Sequence, residues 1–184
     1  MAEKHHGFHK KLVDRLGERL GEAAYTVVTC LLALGVSGLA AYAFSQPLLF
    51  PSLGPTALLF FEQPMAEPSS PRNTLIGHFV AVLAGALSLA VFGLLDNGSI
   101  LQEGVTLART GAGALSVALT GAVLLLLRSS HPPSGATTLI VSLGLLQTPP
   151  EMAMLMVGVV LLTVAGWALN RALGVPMPVW SARG

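Results

Sequence analysis

His131-Pro132-Pro133-Ser134-Gly135-Ala136-Thr137 interrupts a sequence that is otherwise apolar for long stretches on both sides. Two adjacent prolines remove two backbone donors and hold the chain extended, so a helix cannot run through them. A helix can start just after them, at Ser134. The apolar segment that follows, about 134–147, is too short to cross a hydrocarbon layer of roughly 30 Å as helix alone. A second break has the same character: Phe50-Pro51-Ser52-Leu53-Gly54-Pro55-Thr56, followed by an apolar segment at about 55–67.

The two breaks stand in register. Shifted by 81 positions, Gly54 meets Gly135, Thr56 meets Thr137, Leu58 meets Leu139 and Pro68 meets Pro149. Further along, Gly77, Gly85 and Gly93 fall on Gly158, Gly166 and Gly174, and Ala84 falls on Ala165. One deletion opposite Leu53 brings Pro51-Ser52 onto Pro133-Ser134. A shared break followed by a glycine ladder at identical spacing points to an internal duplication. Glycines eight apart lie near one face of a helix and permit close helix contact.

Around the breaks the sequence is that of a membrane protein. Of 184 residues, 53% are hydrophobic and 10% charged, against roughly a quarter charged in soluble domains. No Asp, Glu, Lys or Arg occurs from Ala23 to Phe61, from Thr74 to Leu95, or from Thr110 to Leu127. Uncharged apolar runs of about 18 residues or more are candidate spans. The pattern predicts long helices at about 23–45, 74–95, 107–127 and 152–171. The fold class expected is an all-α membrane bundle of four long transmembrane helices plus two short Pro/Gly-broken ones, arranged as an inverted 3+3 repeat. Its parts are a polar head at 1–22, a membrane domain at 23–174 with units at about 23–95 and 105–174, and a tail at 175–184.

In the head, Phe8, Leu12, Leu16 and Leu20 recur every four residues among charged neighbours, which predicts an amphipathic helix on the membrane surface. Nothing there reads as a cleavable signal. His5, His6 and His9 lack a carboxylate or thiolate at ligand spacing, so no metal or other cofactor is expected. The lone Cys30 lies in an apolar run and rules out a disulfide within one chain. No basic patch suggests nucleic acid. Without an acidic residue or a Cys/His cluster in the spans, enzymatic chemistry is not expected. The expected partners are the lipid bilayer, a small anion and, in a bundle of this size, further copies of the chain.

Basic residues concentrate on the cytoplasmic side of membranes. If the short segments are re-entrant, the chain crosses four times; if each break plus its short helix spans, it crosses six times and the halves are inverted. With the N-terminus inside, six crossings leave only Arg109 of the Lys and Arg residues outside, whereas four place Arg72 and Arg128 outside. Either way both termini are cytoplasmic, in a bacterial inner (plasma) membrane. In the inverted case the short helices begin within the membrane with their N-termini converging. Helix N-termini attract anions, and broken helices in repeated halves point to a transport site.

The His131–Thr137 segment resembles the signature of the HPP family of small integral membrane proteins. Pro71-Arg72-Asn73 with Gly77-His78 forms a second family-like block, and Gly54-Pro55-Thr56 also fits. The resemblance covers about residues 24–175. It implies a bundle usually described with four spans, and plant and cyanobacterial members are associated with nitrite transport, so nitrite or a similar small anion is the implied substrate.

The candidate path is therefore His131, Pro132, Pro133, Ser134, Gly135 and Thr137 from one break, and Ser52, Gly54 and Thr56 from the other. Arg72, Asn73 and His78 join them from the third long helix. His131 can offer charge to an anion or relay a proton, or it can bond a carbonyl that the prolines free. Ser134 and Thr137 can cap the short helix or line the site. Gly135 allows close backbone approach. Asn73 is the expected N-cap of its helix. Arg72 either attracts anions or anchors the cytoplasmic surface, and His78, one turn in, can face the same cavity. A membrane scaffold or sensor that transports nothing is the alternative function.

Overall fold

The computed structural model describes residues 7–182, which are helical and without strands. The elements are α1 (Phe8–Leu16), α2 (Glu18–Phe44), α3 (Leu53–Glu62), a 3-10 turn (Glu67–Ser69), α4 (Pro71–Val91), α5 (Ile100–Glu103), α6 (Leu107–Leu126), α7 (Ser134–Ser142) and α8 (Pro149–Ala172). Four of them, α2, α4, α6 and α8, are long and apolar enough to cross a membrane. Local chemistry sets their ends. The hydroxyls of Thr106 and Thr148 accept from the amides of Arg109 and Glu151 at the starts of α6 and α8. Pro149 occupies the first turn of α8, where its missing N–H costs nothing. Gly93 and Gly174, which are 81 positions apart, take φ of +65° and +83° just beyond α4 and α8, a conformation open to glycine without strain.

The head differs from the single helix expected over 1–22. Gly17, at φ +81°, turns the chain after α1, and α2 already begins at Glu18. Leu20 thus belongs to the first long helix. The two helices lie close because Gly21 has no side chain; a Cβ there would stand 2.5 Å from Val13 Cα. His9 Nε2 lies 3.0 Å from the Glu22 carboxylate. His5 and His6 lie outside the described residues.

Contacts between helix ends fix the direction of each element. At one end, here the head end, Tyr25 of α2 bonds Asn170 of α8, Arg72 of α4 reaches the carbonyls of Leu127 and Arg128 beyond α6, and the Arg72 amide donates to Trp180 O. At the far end, Arg109 of α6 bonds the carbonyls of Asn97 and Gly98 beyond α4, and the Ile100 amide bonds Leu143 O beyond α7. Therefore α2 and α4 run from head to far end, whereas α6 and α8 run back. The short helices alternate with them. The amide of Asn170, at the head end of α8, donates to Phe60 O, so α3 points toward the head end. Gly144, just past α7, abuts the Arg109 guanidinium, so α7 points toward the far end. Residues 62–70 consequently lie at the head end, beside the starts of α2 and α4.

Each of α4 and α8 lies on the short helix that does not directly precede it, α4 on α7 and α8 on α3, an exchange for which their glycines make the room. A Cβ on Gly85 would stand 2.7 Å from Val141 of α7, and one on Gly166 would stand 2.6 Å from Phe60 of α3. Val141 and Phe60 are themselves 81 positions apart. A Cβ on Gly77 would meet His131 at 2.7 Å, and one on Gly158 would meet Leu48 O at 2.9 Å. Both contacts lie in the segments that precede the short helices. This exchange brings the starts of α3 and α7 together in the middle of the bundle.

Candidate functional site

The two breaks meet at a buried pair of histidines. His78 is on α4, about two turns from its start, and His131 precedes α7; they are 0% and 1% exposed. Their ring centroids are 4.9 Å apart at an interplanar angle of 62°, and the two Nε2 atoms are 3.2 Å apart. His131 reaches this position because Gly77 leaves its face of α4 bare.

The proton on each ring follows from the partners. His131 Nδ1 lies 2.8 Å from Pro68 O, and a carbonyl only accepts, so Nδ1 carries the hydrogen. In the neutral ring Nε2 is then an acceptor, and His78 Nε2–H donates to it. That same hydrogen also faces Thr56 Oγ1, at 3.1 Å, whose own hydroxyl hydrogen goes to Ser52 O at 3.0 Å. His78 Nδ1 is left as an acceptor and takes the Thr137 hydroxyl at 2.6 Å. The result is a directed chain from Thr137 through His78 and His131 to Pro68 O. It joins the first turns of both short helices, since Thr56 and Thr137 are the corresponding residues of α3 and α7.

Each expected site residue has a definite place. Pro132 and Pro133 carry no N–H, and the amides of Ser134, Gly135 and Ala136 bond the carbonyls of His131, Pro132 and Pro133. The start of α7 therefore offers side chains, not free amides. The Ser134 hydroxyl donates to His131 O at 2.7 Å and does not cap the helix. Ser52 occupies the matching place before α3, yet its buried hydroxyl has no partner among the described residues. Gly54 and Gly135 are not close-approach glycines, because a Cβ at either meets nothing within 4 Å.

Asn73 is not the N-cap of α4. Ser70 takes that role, its hydroxyl facing the Asn73 amide at 3.4 Å, because Ser70 directly precedes Pro71 at the first helical position. The Asn73 side chain instead donates to Glu67 Oε1 at 3.4 Å and Ser130 O at 3.3 Å. Arg72 donates to Asn73 Oδ1 at 3.1 Å and to Arg128 O at 3.3 Å. It thus satisfies carbonyls beyond the end of α6 and stands at the head-end rim.

Two open recesses border the His-Pro-Pro segment, and the first includes His131 in its lining. One, of about 300 Å³, lies between α6 and the break and is lined by Val117, Thr120, Gly121, Ser130, His131 and Gly135 among others. Another, of about 380 Å³, lies between Pro55, Leu58 and Glu62 of α3 and Pro132, Pro133 and Ala136.

Sequence reasoning did not reach several polar groups. On the far-end side of the histidines, Ser116 of α6 bonds Ser142 of α7 at 2.9 Å, and the buried Thr138 hydroxyl has no partner among the described residues. Isolated hydroxyls in apolar runs were the available signal. Arg109, expected merely as the one basic residue on its side, is fully buried, and its Nε and Nη1 have no partner among the described residues. Among the described residues no group of three or more His, Cys, Asp or Glu residues is arranged to hold a metal ion.

These features can be set beside known proteins. A transmembrane protein of Dictyostelium discoideum is 31% identical over 104 residues, a match covering 54% of this chain and 31% of that protein. The chain thus spans about a third of the length of that curated relative. No solved structure matches. The profile of the HPP transmembrane region matches residues 17–178, from the start of α2 to beyond α8. The chain is a multi-helix membrane protein belonging to the HPP family.

Proposed function

We propose that this protein moves nitrite, or a small anion like it, across the membrane by way of the His78–His131 site. The observation that carries this reading is the buried imidazole pair at the point where two broken helices begin. Ionisable side chains at membrane depth are costly and are functional-site candidates by default. The hydroxyls of Thr56 and Thr137 contact the ring nitrogens, those of Ser52 and Ser134 lie buried in the adjoining breaks, and open recesses border the His-Pro-Pro segment. The resemblance to nitrite-associated members of the family supplies the substrate class.

In the same proposal the two halves are an inverted repeat whose exchange of inward and outward packing exposes the central site to each side in turn. The head end carries Lys10, Lys11, Arg15, Arg19, Arg72, Arg128 and Arg171, against Arg109 at the far end. By the positive-inside rule the head end is cytoplasmic, which puts both termini inside, in a bacterial plasma membrane. Arg72 then draws anions toward the inner mouth.

Reconstitution into proteoliposomes tests the proposal. Nitrite should accumulate above the level of empty vesicles somewhere between pH 5.5 and 8, and His131→Ala should return it to background while the protein still elutes as a folded species. No uptake above empty vesicles across that range would exclude nitrite. A membrane scaffold or sensor predicts that outcome, together with no water access to a cysteine placed at position 131.

A further inference from the structure

We propose that a proton is the second substrate: the His78–His131 pair takes up one proton together with one anion, so that transport is proton-coupled. The inference rests on the anion reading above and concerns the same site.

The rings of the neutral pair are saturated. In the neutral pair both nitrogens of each ring are engaged, by Pro68 O, Thr137 and the Nε2–Nε2 contact. The neutral pair therefore has no N–H to spare for an anion. One added proton changes this in a defined way. With His131 protonated on both nitrogens, its Nε2–H points at His78 Nε2, which must now accept. His78 then carries its hydrogen on Nδ1 and donates to Thr137 Oγ1, whose own hydrogen is turned outward and becomes free to bond a ligand. The chain has reversed and one positive charge is shared by the rings. A second proton would set two N–H groups against each other across 3.2 Å and place two like charges on neighbouring rings. The capacity is one.

Neither ligand binds well alone. A lone charge buried among apolar helices is strongly unfavourable, and this holds equally for a protonated imidazole and for an anion. Together they form a neutral pair, and the outward-turned Thr137 hydroxyl and the unpartnered Ser52 hydroxyl are donors for the anion. Mutual stabilisation of this kind is reciprocal coupling between two ligands.

Charged groups facing the site do not substitute for the proton. From the head end, Glu67 approaches Asn73, and Arg72 is held by Asn73 Oδ1 and the carbonyls of Leu127 and Arg128. Glu62 of α3 faces Pro132 and Pro133 across the second recess. Near the pair, Thr137 of α7 and Thr120 of α6 carry hydroxyls.

The test uses full-length protein in sealed proteoliposomes containing a pH-sensitive dye, with ¹⁵N-nitrite outside. After subtraction of the passive nitrous-acid flux measured in protein-free vesicles, uptake should acidify the lumen with one proton per nitrite, and below saturation the initial rate should rise about tenfold per unit fall in external pH, as one bound proton requires. In His78→Gln the side chain keeps a donor near Nε2 but cannot pass a proton; uptake should fall at least about tenfold and lose its pH dependence. Uptake without proton movement would overturn the coupling and leave the anion reading standing. Absence of uptake would overturn both. Nitrogen NMR of histidine-labelled wild-type protein gives a second readout that needs no variant to fold. Hydrogen on Nδ1 of His131 and on Nε2 of His78, with both signals shifting together on uptake of one proton as nitrite is added, supports the relay. The opposite tautomers, or two independent titrations, would overturn it.

Discussion

The exchanged packing creates two corresponding positions in the molecule, and they differ in chemistry. In one, α4 brings His78 against the break that holds His131. In the other, α8 brings Val159, 81 positions after His78, into the core that also holds Phe50, the residue directly before the Pro51-Ser52 break. Val159 and Phe50 are both buried in the apolar core. Gly77 and Gly158 open their helices to the breaks in the same way, and Gly85 and Gly166 seat Val141 and Phe60 in the same way. The apolar position shows that this backbone arrangement does not need imidazoles to hold it together. A buried polar pair at the other position carries a desolvation cost that valine and phenylalanine avoid, and this argues that it is kept for chemistry.

Making the two positions alike should abolish the difference between them. The double change His78→Val with His131→Phe puts the residue types of Val159 and Phe50 in place of the two imidazoles. Nitrite uptake is expected to fall to the level of empty vesicles. Stability should stay within about 1.5 kcal/mol of the parent, since well-packed apolar groups often replace buried polar pairs without loss; thermal unfolding in detergent reads this directly.

Glycine substitutions sharpen the same contrast. Gly77→Ala would press a methyl group onto His131, and Gly166→Ala would press one onto Phe60. Each is expected to cost about 1–3 kcal/mol through overpacking. Only the first should also reduce uptake several-fold, because only the first displaces a ring of the pair. Equal losses of uptake would show that the glycine ladder acts through general packing alone.

A smaller effect is expected away from the centre. Tyr25→Phe removes the 2.6 Å bond to Asn170 that ties α2 to α8 at the head end. About 1 kcal/mol of stability should be lost, with uptake per folded molecule unchanged. The smallest effect is expected at Gly54→Ala and Gly135→Ala, where an added methyl meets nothing. Within helices alanine is favoured over glycine by up to about 1 kcal/mol, so both variants should be at least as stable as the parent.

Much of this arrangement was legible in the chain. Runs without charge marked the long helices, and the shared Pro/Gly breaks marked where the short ones start. The glycine register marked places on α4 and α8 where other segments pack close, yet it did not say what each glycine faces. That answer depends on the exchange between halves, by which Gly77 meets a residue 54 positions away rather than one in its own unit. His78 and His131 were expected to share a cavity, but their direct ring contact was hidden for the same reason. The cap of α4 was misplaced at Asn73 although Ser70-Pro71 is the stronger signal, a hydroxyl residue just before a proline at the first helical position. The role of Arg109 was also hidden, because charge counting assigns a side of the membrane and says nothing about burial.

The most direct single measurement is nitrite uptake by the His78→Val/His131→Phe protein beside the parent, in vesicles carrying equal amounts of folded protein. Uptake by the parent and background by the variant is the expected result. Uptake retained in the variant would contradict the assignment of transport to the histidine pair.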